Sequence, residues 1–321
     1  MRKSMTAILL GLLCAGGATL LRADRAQGSF ERTLTVTGPV QLQVRTGSGS
    51  IAVRKGASGS VRVLGRVTAQ SWFGQDAASR VREVEQNPPI SQNGNIVTIG
   101  SDVRKWENIG ISYELTVPDE TQVSAHTGSG NEEIYDVRGP VEASTGSGGI
   151  QVENIGSRVE AKTGSGNIRV SRTGGAVTAS TGSGGIELST VNGDASAHTG
   201  SGNVTVIGAT GAVRARAGSG RVRVEKAQND VEAQSASGGV SVDGNPKSAR
   251  WNLQSGSGSV EVGLPRGTPF ELDAHTGSGS ISTTHELMVS GTFRRNELRG
   301  VAIRPDNHIY IRTASGSVRV D

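Results

Sequence analysis

Three kinds of side chain recur in this chain at spacings that invite a chemical reading. Serine is the first. It takes the third place of a Thr-Gly-Ser-Gly unit, or a close variant, at Ser129, Ser147, Ser165, Ser183, Ser201, Ser219, Ser237, Ser257 and Ser278. A nucleophilic serine is unique and held by a partner base, whereas a series of equivalents describes a structural column. A hydroxyl both donates and accepts, so the column is expected to satisfy itself in a partly buried corner. The competing use is a flat hydroxyl face that matches ice or a polysaccharide. Glycine-rich units also suggest phosphate loops, but those lead from a strand into a helix N-terminus. Here the sequence after each unit reads as strand, and lysine never follows it.

Histidine is the second. His126, His198 and His275 each stand one residue before the marker unit, in a column that otherwise holds Ser144, Lys162, Ser180, Arg216 and Gln234. A column of that composition faces solvent. His126 and His198 are four coils apart, roughly 19 Å at the spacing of paired strands, and zinc–nitrogen bonds of about 2 Å cannot bridge that gap. Aspartate is the third. Asp194 and Asp230 occupy the same place two coils apart, about 10 Å at the sheet spacing, a separation that inverting glycosidases use. Ala212 lies between them, no aromatic platform is near, and neither an acidic calcium cleft nor an Asp-bearing glycine nonapeptide occurs. The sequence therefore assigns no catalytic, cofactor-binding or metal-binding residue, and no cofactor is expected.

What positions these side chains is a period. The marker begins at Thr127, Thr145, Thr163, Thr181, Thr199, Ala217 and Ser235, always 18 residues apart. A short fixed period is the signature of stacked coils. Counting from the marker, place 6 holds Ile150, Ile168, Ile186, Val204, Val222 and Val240, and place 8 holds Val152, Val170, Leu188, Val206, Val224 and Val242. Place 15 is usually Val. Place 17 is Ala143, Ala161, Ala179, Ala197, Ala215 and Ala233. Polar residues fall between, as period-2 strands require. Each coil thus holds two short strands, one before and one after the marker, each stacking on its copy about 4.8 Å away. The interior must be narrow, because no aromatic residue occurs between Tyr135 and Trp251. The outward column at place 7 reads Gln151, Arg169, Glu187, Thr205, Arg223, Ser241 and Glu261, mixed signs that favour ladder pairing and solubility.

The rule breaks at both ends. Residues 33–53 resemble a first coil around Thr46, after which the spacing is lost until Thr127. Within 54–126 the reading is a cap of strands plus one helix over 75–86, with Asp76 as N-cap, Ala77, Val81 and Val84 on the buried face, and Pro88-Pro89 as the stop. Asn93-Gly94 reads as a hairpin turn. Such covers protect open sheet edges. Regular coils are expected over 127–283, with looser markers at Ser255 and Thr276, and a C-terminal cap over 284–321 that includes Thr313 and polar loops at Phe293–Asn296 and Arg304–Asn307. The aromatic side chains cluster at these ends, among them Trp72, Phe73 and Trp106 before the regular block.

Residues 1–26 read as an export signal or N-terminal membrane anchor: Arg2 and Lys3, an apolar run from Met5 to Leu21, then Arg22, Asp24 and Arg25. The run is 17 residues, the lower limit for a span. Cys14, the only cysteine, follows Leu13 rather than a small residue, which argues against lipidation there; without it the body has no disulfide. The net charge of +4 is mostly that segment's +3, leaving a near-neutral body over 27–321 that lacks the footprint of a nucleic-acid binder.

The run Ile111-Ser112-Tyr113-Glu114-Leu115-Thr116-Val117-Pro118, leading to His126-Thr127-Gly128-Ser129-Gly130 and serial Thr-Gly-Ser-Gly-x-Ile-x-Val units, resembles the bacterial putative-adhesin family of unknown function over residues 30–321. The resemblance implies an all-β, single-stranded β-helix (a β-solenoid), expected to be right-handed, outside the cytoplasm. It supplies no catalytic residues. The expected function is a non-catalytic, exported, adhesin-like or envelope-associated binding or scaffold protein located in the periplasm, in the cell envelope or outside the cell. The expected partners are cell-surface or envelope polysaccharide or protein, with membrane contact only through the N-terminal segment. The alternative is a carbohydrate-active β-helix enzyme with its site among the loops at 64–110 or 284–312.

Overall fold

A computed structural model of the chain describes residues 24–71, 76–100, 109–289, 294–303 and 306–321. The expected helix-free repeat becomes a ladder. In the regular block each strand pairs in parallel with its copy one coil on, Val141 with Val159 and Thr145 with Thr163 on one wall, Ile150 with Ile168 and Val152 with Val170 on the other. The strands leading into the markers form a 15-stranded sheet, the marker sheet; those following form a 14-stranded sheet facing it. A parallel pair needs a crossover, and here each coil is the crossover for the next. The architecture is the two-walled β-solenoid read from the period.

The space between the walls is filled as the side-chain volumes require. The alanine column from Ala143 to Ala233 is buried, and it faces the buried Ile, Val and Leu of places 6 and 8. Each such aliphatic side chain contributes roughly 1.5–3 kcal/mol by leaving water. Towards the C-terminal end the alanine column gives way to Leu253, Ile311 and then Ala274, and Trp251, Ile309, Phe270 and Leu272 fill a wider interior. At the other end Phe30 and Tyr113 pack edge to face at 6.4 Å.

The corner opposite the marker has its own signature. Place 10 holds Asp136, Asn154, Arg172, Thr190, Gly208 and Lys226, all with φ between 53° and 70°. Five of six are not glycine. Asp136 and Asn154 tolerate this left-handed turn, but stacking of the coils imposes it on Arg172, Thr190 and Lys226 as well, Thr190 being the least suited because it is β-branched.

Both ends depart from simple succession. Sequence order and stacking order part company at the Thr46 and Thr313 coils. The Thr46 coil, Gln41–Ser48 and Ile51–Lys55, pairs with the Thr127 coil on one side, in register Thr46 to Thr127. On its other side lie Ile96–Ile99 and Ile109–Val117, an unmarked coil that comes later in the chain. The Thr313 coil, His308–Thr313 and Val318–Val320, slides between the Ser255 and Thr276 coils. Residues 308–320, assigned above to a cap, are therefore an interior coil. The first and last marked coils in sequence each have ladder partners on both edges, and the outermost positions go to inserted segments and to the N-terminal strand Asp24–Thr35. Strands with both edges paired resist fraying, which end strands do not.

The outer layers are antiparallel. Asp24–Thr35 pairs with Ser60–Ser71, which pairs with Ile109–Val117. Residues 24–26, read as part of the export segment, are the start of that first strand. Residues 1–23, Trp72, Phe73, Trp106, Phe293, Arg304 and Pro305 lie outside the described residues. The helix Ala77–Gln86 is capped by Asp76, whose carboxylate accepts from the Ala78 N–H at 3.0 Å, and it buries Ala77, Val81 and Val84 as expected. Glu85 Oε1 accepts from the Ser29 N–H at 2.8 Å. Gly28 allows that approach, since a Cβ there would lie 2.4 Å from Val81 Cγ1. In the hairpin of Ile90–Asn93 with Ile96–Ile99, Asn93 pairs with Ile96, so the two turn residues are Gly94 and Asn95 rather than Asn93 and Gly94. No described helix is long and apolar enough to cross a membrane.

Candidate functional site

The marker corner is built by its threonine, not its serine. Thr127, Thr145, Thr163, Thr181 and Thr199 are buried. Each threonine hydroxyl in the regular block donates to the carbonyl of the fourth-place glycine one coil earlier: Thr145 to Gly130, Thr163 to Gly148 and Thr181 to Gly166, all at 3.0 Å. Ser235 and Ser255 do the same for Gly220 and Gly238. Ala217 cannot. The serines of place 3, expected in a partly buried corner, are exposed from Ser129 to Ser278. The alternation of inward and outward faces runs through Thr, places Gly outward and leaves Ser at the rim. A Cβ on Gly184, at φ 151°, would meet the Gly166 carbonyl oxygen at 2.0 Å, so the fourth-place glycine is required by contact between coils.

The aspartates are structural. Asp194 Oδ1 accepts from the Ala212 N–H and Asp230 Oδ1 from the Arg250 N–H, both at 2.8 Å. Each carboxylate thus caps the turn of the next coil through one of its oxygens. Asparagine supplies an equivalent device that the sequence reading does not single out. Asn131, Asn167 and Asn203 recur every second coil, and each side-chain oxygen accepts from the next coil's backbone at Gly149, Gly185 and Arg221. The period-36 recurrence of Asn at place 5 is the signal that could have found it.

Glu132 is a further residue outside the sequence reading. It stands at place 6, between Ile51 and Ile150 on the ladder, and is fully buried. Neither carboxylate oxygen has a hydrogen-bond partner. Burial pushes the carboxyl up to about 8, and the backbone near Ser144 and Thr127 opposes the rise too loosely to satisfy it. It is sealed from solvent, so it serves no ligand on the surface.

Two open grooves follow the coil stack. One runs along the place-10 corner, about 950 Å³, floored by Val137, Ile155, Thr173 and Val191. Its charges are largely paired: Asp119 with Lys55 and Arg138, both at 3.1 Å, Asp136 with Asn154 at 2.6 Å, and Arg172 with Glu153. The other, about 710 Å³, crosses the outer face of the marker sheet near the C-terminal end. His198 and His275 line it, while His126 sits at the far end of the same column. Among the described residues no group of three or more His, Cys, Asp or Glu could hold a metal ion. On the place-7 column Arg169 pairs with Glu187 at 3.1 Å, as the mixed signs predicted.

Parallel two-walled stacking with a hydroxyl-bonded glycine corner defines the class as a repetitive β-solenoid. The chain belongs to the Toastrack DUF4097 family, whose model matches residues 31–321. Among solved structures it is similar to a putative adhesin from Bacteroides fragilis, at 13% identity over 92% of this chain and 97% of that one, with a TM-score of 0.33. It is also similar to a putative cell adhesion protein from Clostridium sporogenes, at 12% identity over 91% and 99%, with a TM-score of 0.21. No curated protein matches. The fold stands on the strand pairing itself.

Proposed function

We propose that this chain is an exported, non-catalytic, adhesin-like β-solenoid that presents a rigid repetitive surface to envelope or cell-surface material. The observation that carries the reading is the disposition of polar groups along the stack. Asp194 and Asp230, the carboxylates spaced for chemistry, each hold a backbone N–H of the next coil through one oxygen. The outward columns instead form long open grooves of repeated polar side chains. A rigid ladder holds such side chains at fixed spacing, so binding sacrifices little conformational freedom. The charged start and apolar run of residues 1–26 support export, to the periplasm, the envelope or the medium.

The test is a panel of envelope polysaccharides and whole-cell envelopes, immobilised and probed with the mature chain, run beside a hydrolysis assay on the same glycans. Retention without cleavage is the expected result. Reproducible cleavage that disappears when carboxylates of the irregular loops are replaced would overturn it in favour of a carbohydrate-active enzyme.

A further inference from the structure

The groove on the outer face of the marker sheet is assembled by the tucked C-terminal coil. In spatial order across six neighbouring strands, the column before the marker reads His198, Arg216, Gln234, Gln254, Arg312 and His275. At the strand spacing this is a run of roughly 24 Å. Beside it the next outward column is small throughout, from Gly218 and Ala236 to Ala314 and Gly277, so the long side chains stand as a wall above a shallow floor.

The chemistry of that wall is one-sided. Among the described residues no carboxylate lines the groove. The acids nearby are already engaged: Glu232 with Arg216 at 2.6 Å and Arg214 at 3.8 Å, Asp273 and Glu297 with Arg299 at 3.5 and 3.7 Å. Among the described residues the Arg312 guanidinium has no ion pair or hydrogen bond, and neither does the ring of His198 or of His275. Gln234 and Gln254 donate their side-chain N–H to Glu232 and Asn252, both at 3.0 Å. Their carbonyl oxygens remain as acceptors. A free guanidinium takes a planar carboxylate in two parallel bonds. Amide oxygens spaced along the same line take hydroxyl donors. Among the described residues the groove has no aromatic or large apolar anchor of the kind that dominates protein interfaces.

We propose that this groove binds a linear acidic polysaccharide, with a uronate carboxylate on Arg312 and sugar hydroxyls donating to Gln234 and Gln254. The proposal rests on the binding reading above and names its ligand class. The experiment measures retention of the mature chain on immobilised polygalacturonate, with dextran as the neutral polymer and dextran sulfate as the sulfated one. Arg312→Gln is compared with Arg45→Gln, an exposed arginine on the same column at the opposite end of the stack. Circular dichroism confirms that both variants keep the fold.

Wild type should bind polygalacturonate over dextran and weaken as salt rises. Arg312→Gln should lose about tenfold in affinity, the value of one charge-assisted contact, and Arg45→Gln should bind as wild type. Equal losses in both variants, or none in Arg312→Gln, would overturn the assignment to this groove. Preference for dextran sulfate would overturn the uronate. Retention on envelopes without binding to polygalacturonate would sink the groove proposal and leave the adhesin-like reading standing; no retention on any of these would sink both.

Discussion

Replacing Glu132 with isoleucine should make the protein more stable, and by an amount that depends on pH. Glu132 fills a place that holds Ile51 in the coil on one side and Ile150 in the coil on the other. It is fully buried and its carboxylate is unpartnered. The ordinary value of 4.5 is raised by burial to about 8 in the folded chain. Between those values the folded state keeps a proton that the unfolded state has released, so stability falls as pH rises across that window. Below about 4.5 both states are protonated, and above about 8 both are ionised, so the contribution is flat on either side. Each pH step of one well inside the window removes about 1.4 kcal/mol, which makes the loss roughly 3 kcal/mol by pH 7 and roughly 4 kcal/mol by pH 8, where the folded carboxyl is half ionised. Glu132→Ile abolishes this loss and adds apolar contact with Ile51 and Ile150. Urea unfolding of wild type and variant at pH 5, 6, 7 and 8 isolates the effect, because other titrating groups cancel in the difference. The gap should widen steadily from pH 5 to 8. A gap that is constant with pH would refute the argument and, with it, the register that points Glu132 inward.

Three further substitutions probe the corners and the core. Ala179→Asp places a lone carboxylate in the buried alanine column and should destabilise by about 3 kcal/mol or more; a thermal melt like wild type would mean the column is not interior. Thr163→Val keeps the shape but removes the bond to the Gly148 carbonyl, for a loss of about 1 kcal/mol in a urea midpoint comparison. Thr190→Asn relieves a β-branched residue at φ 53° and should raise stability by roughly 1 kcal/mol, seen as a higher unfolding midpoint.

Much of the ladder is legible because a parallel register repeats whatever the sequence repeats. The 18-residue period puts Thr145 beside Thr163 and the alanines in one buried column without reference to any distant contact. The helix is legible for a similar reason, since Asp76, the apolar face and Pro88 are local signals. The face of each marker residue is harder. Two-residue alternation cannot be followed through Gly-Ser-Gly, where glycine carries no side chain to show its direction. Spacing alone therefore assigns the corner to the exposed serine and passes over the buried threonine. Glu132 stands out of line among the aliphatic residues of place 6, but only packing between two close walls leaves its carboxylate without water or partner.

The coil, its two strands, its narrow aliphatic interior and the register within the regular block follow from the period, because these depend on contacts one period away. The order of the end coils is set by folding in three dimensions. A strand pairs through backbone groups that are nearly the same in every coil, so nothing local says whether Thr313 follows Thr276 or slips in before it. That choice seats Arg312 between Gln254 and His275, and the cationic groove exists because of it.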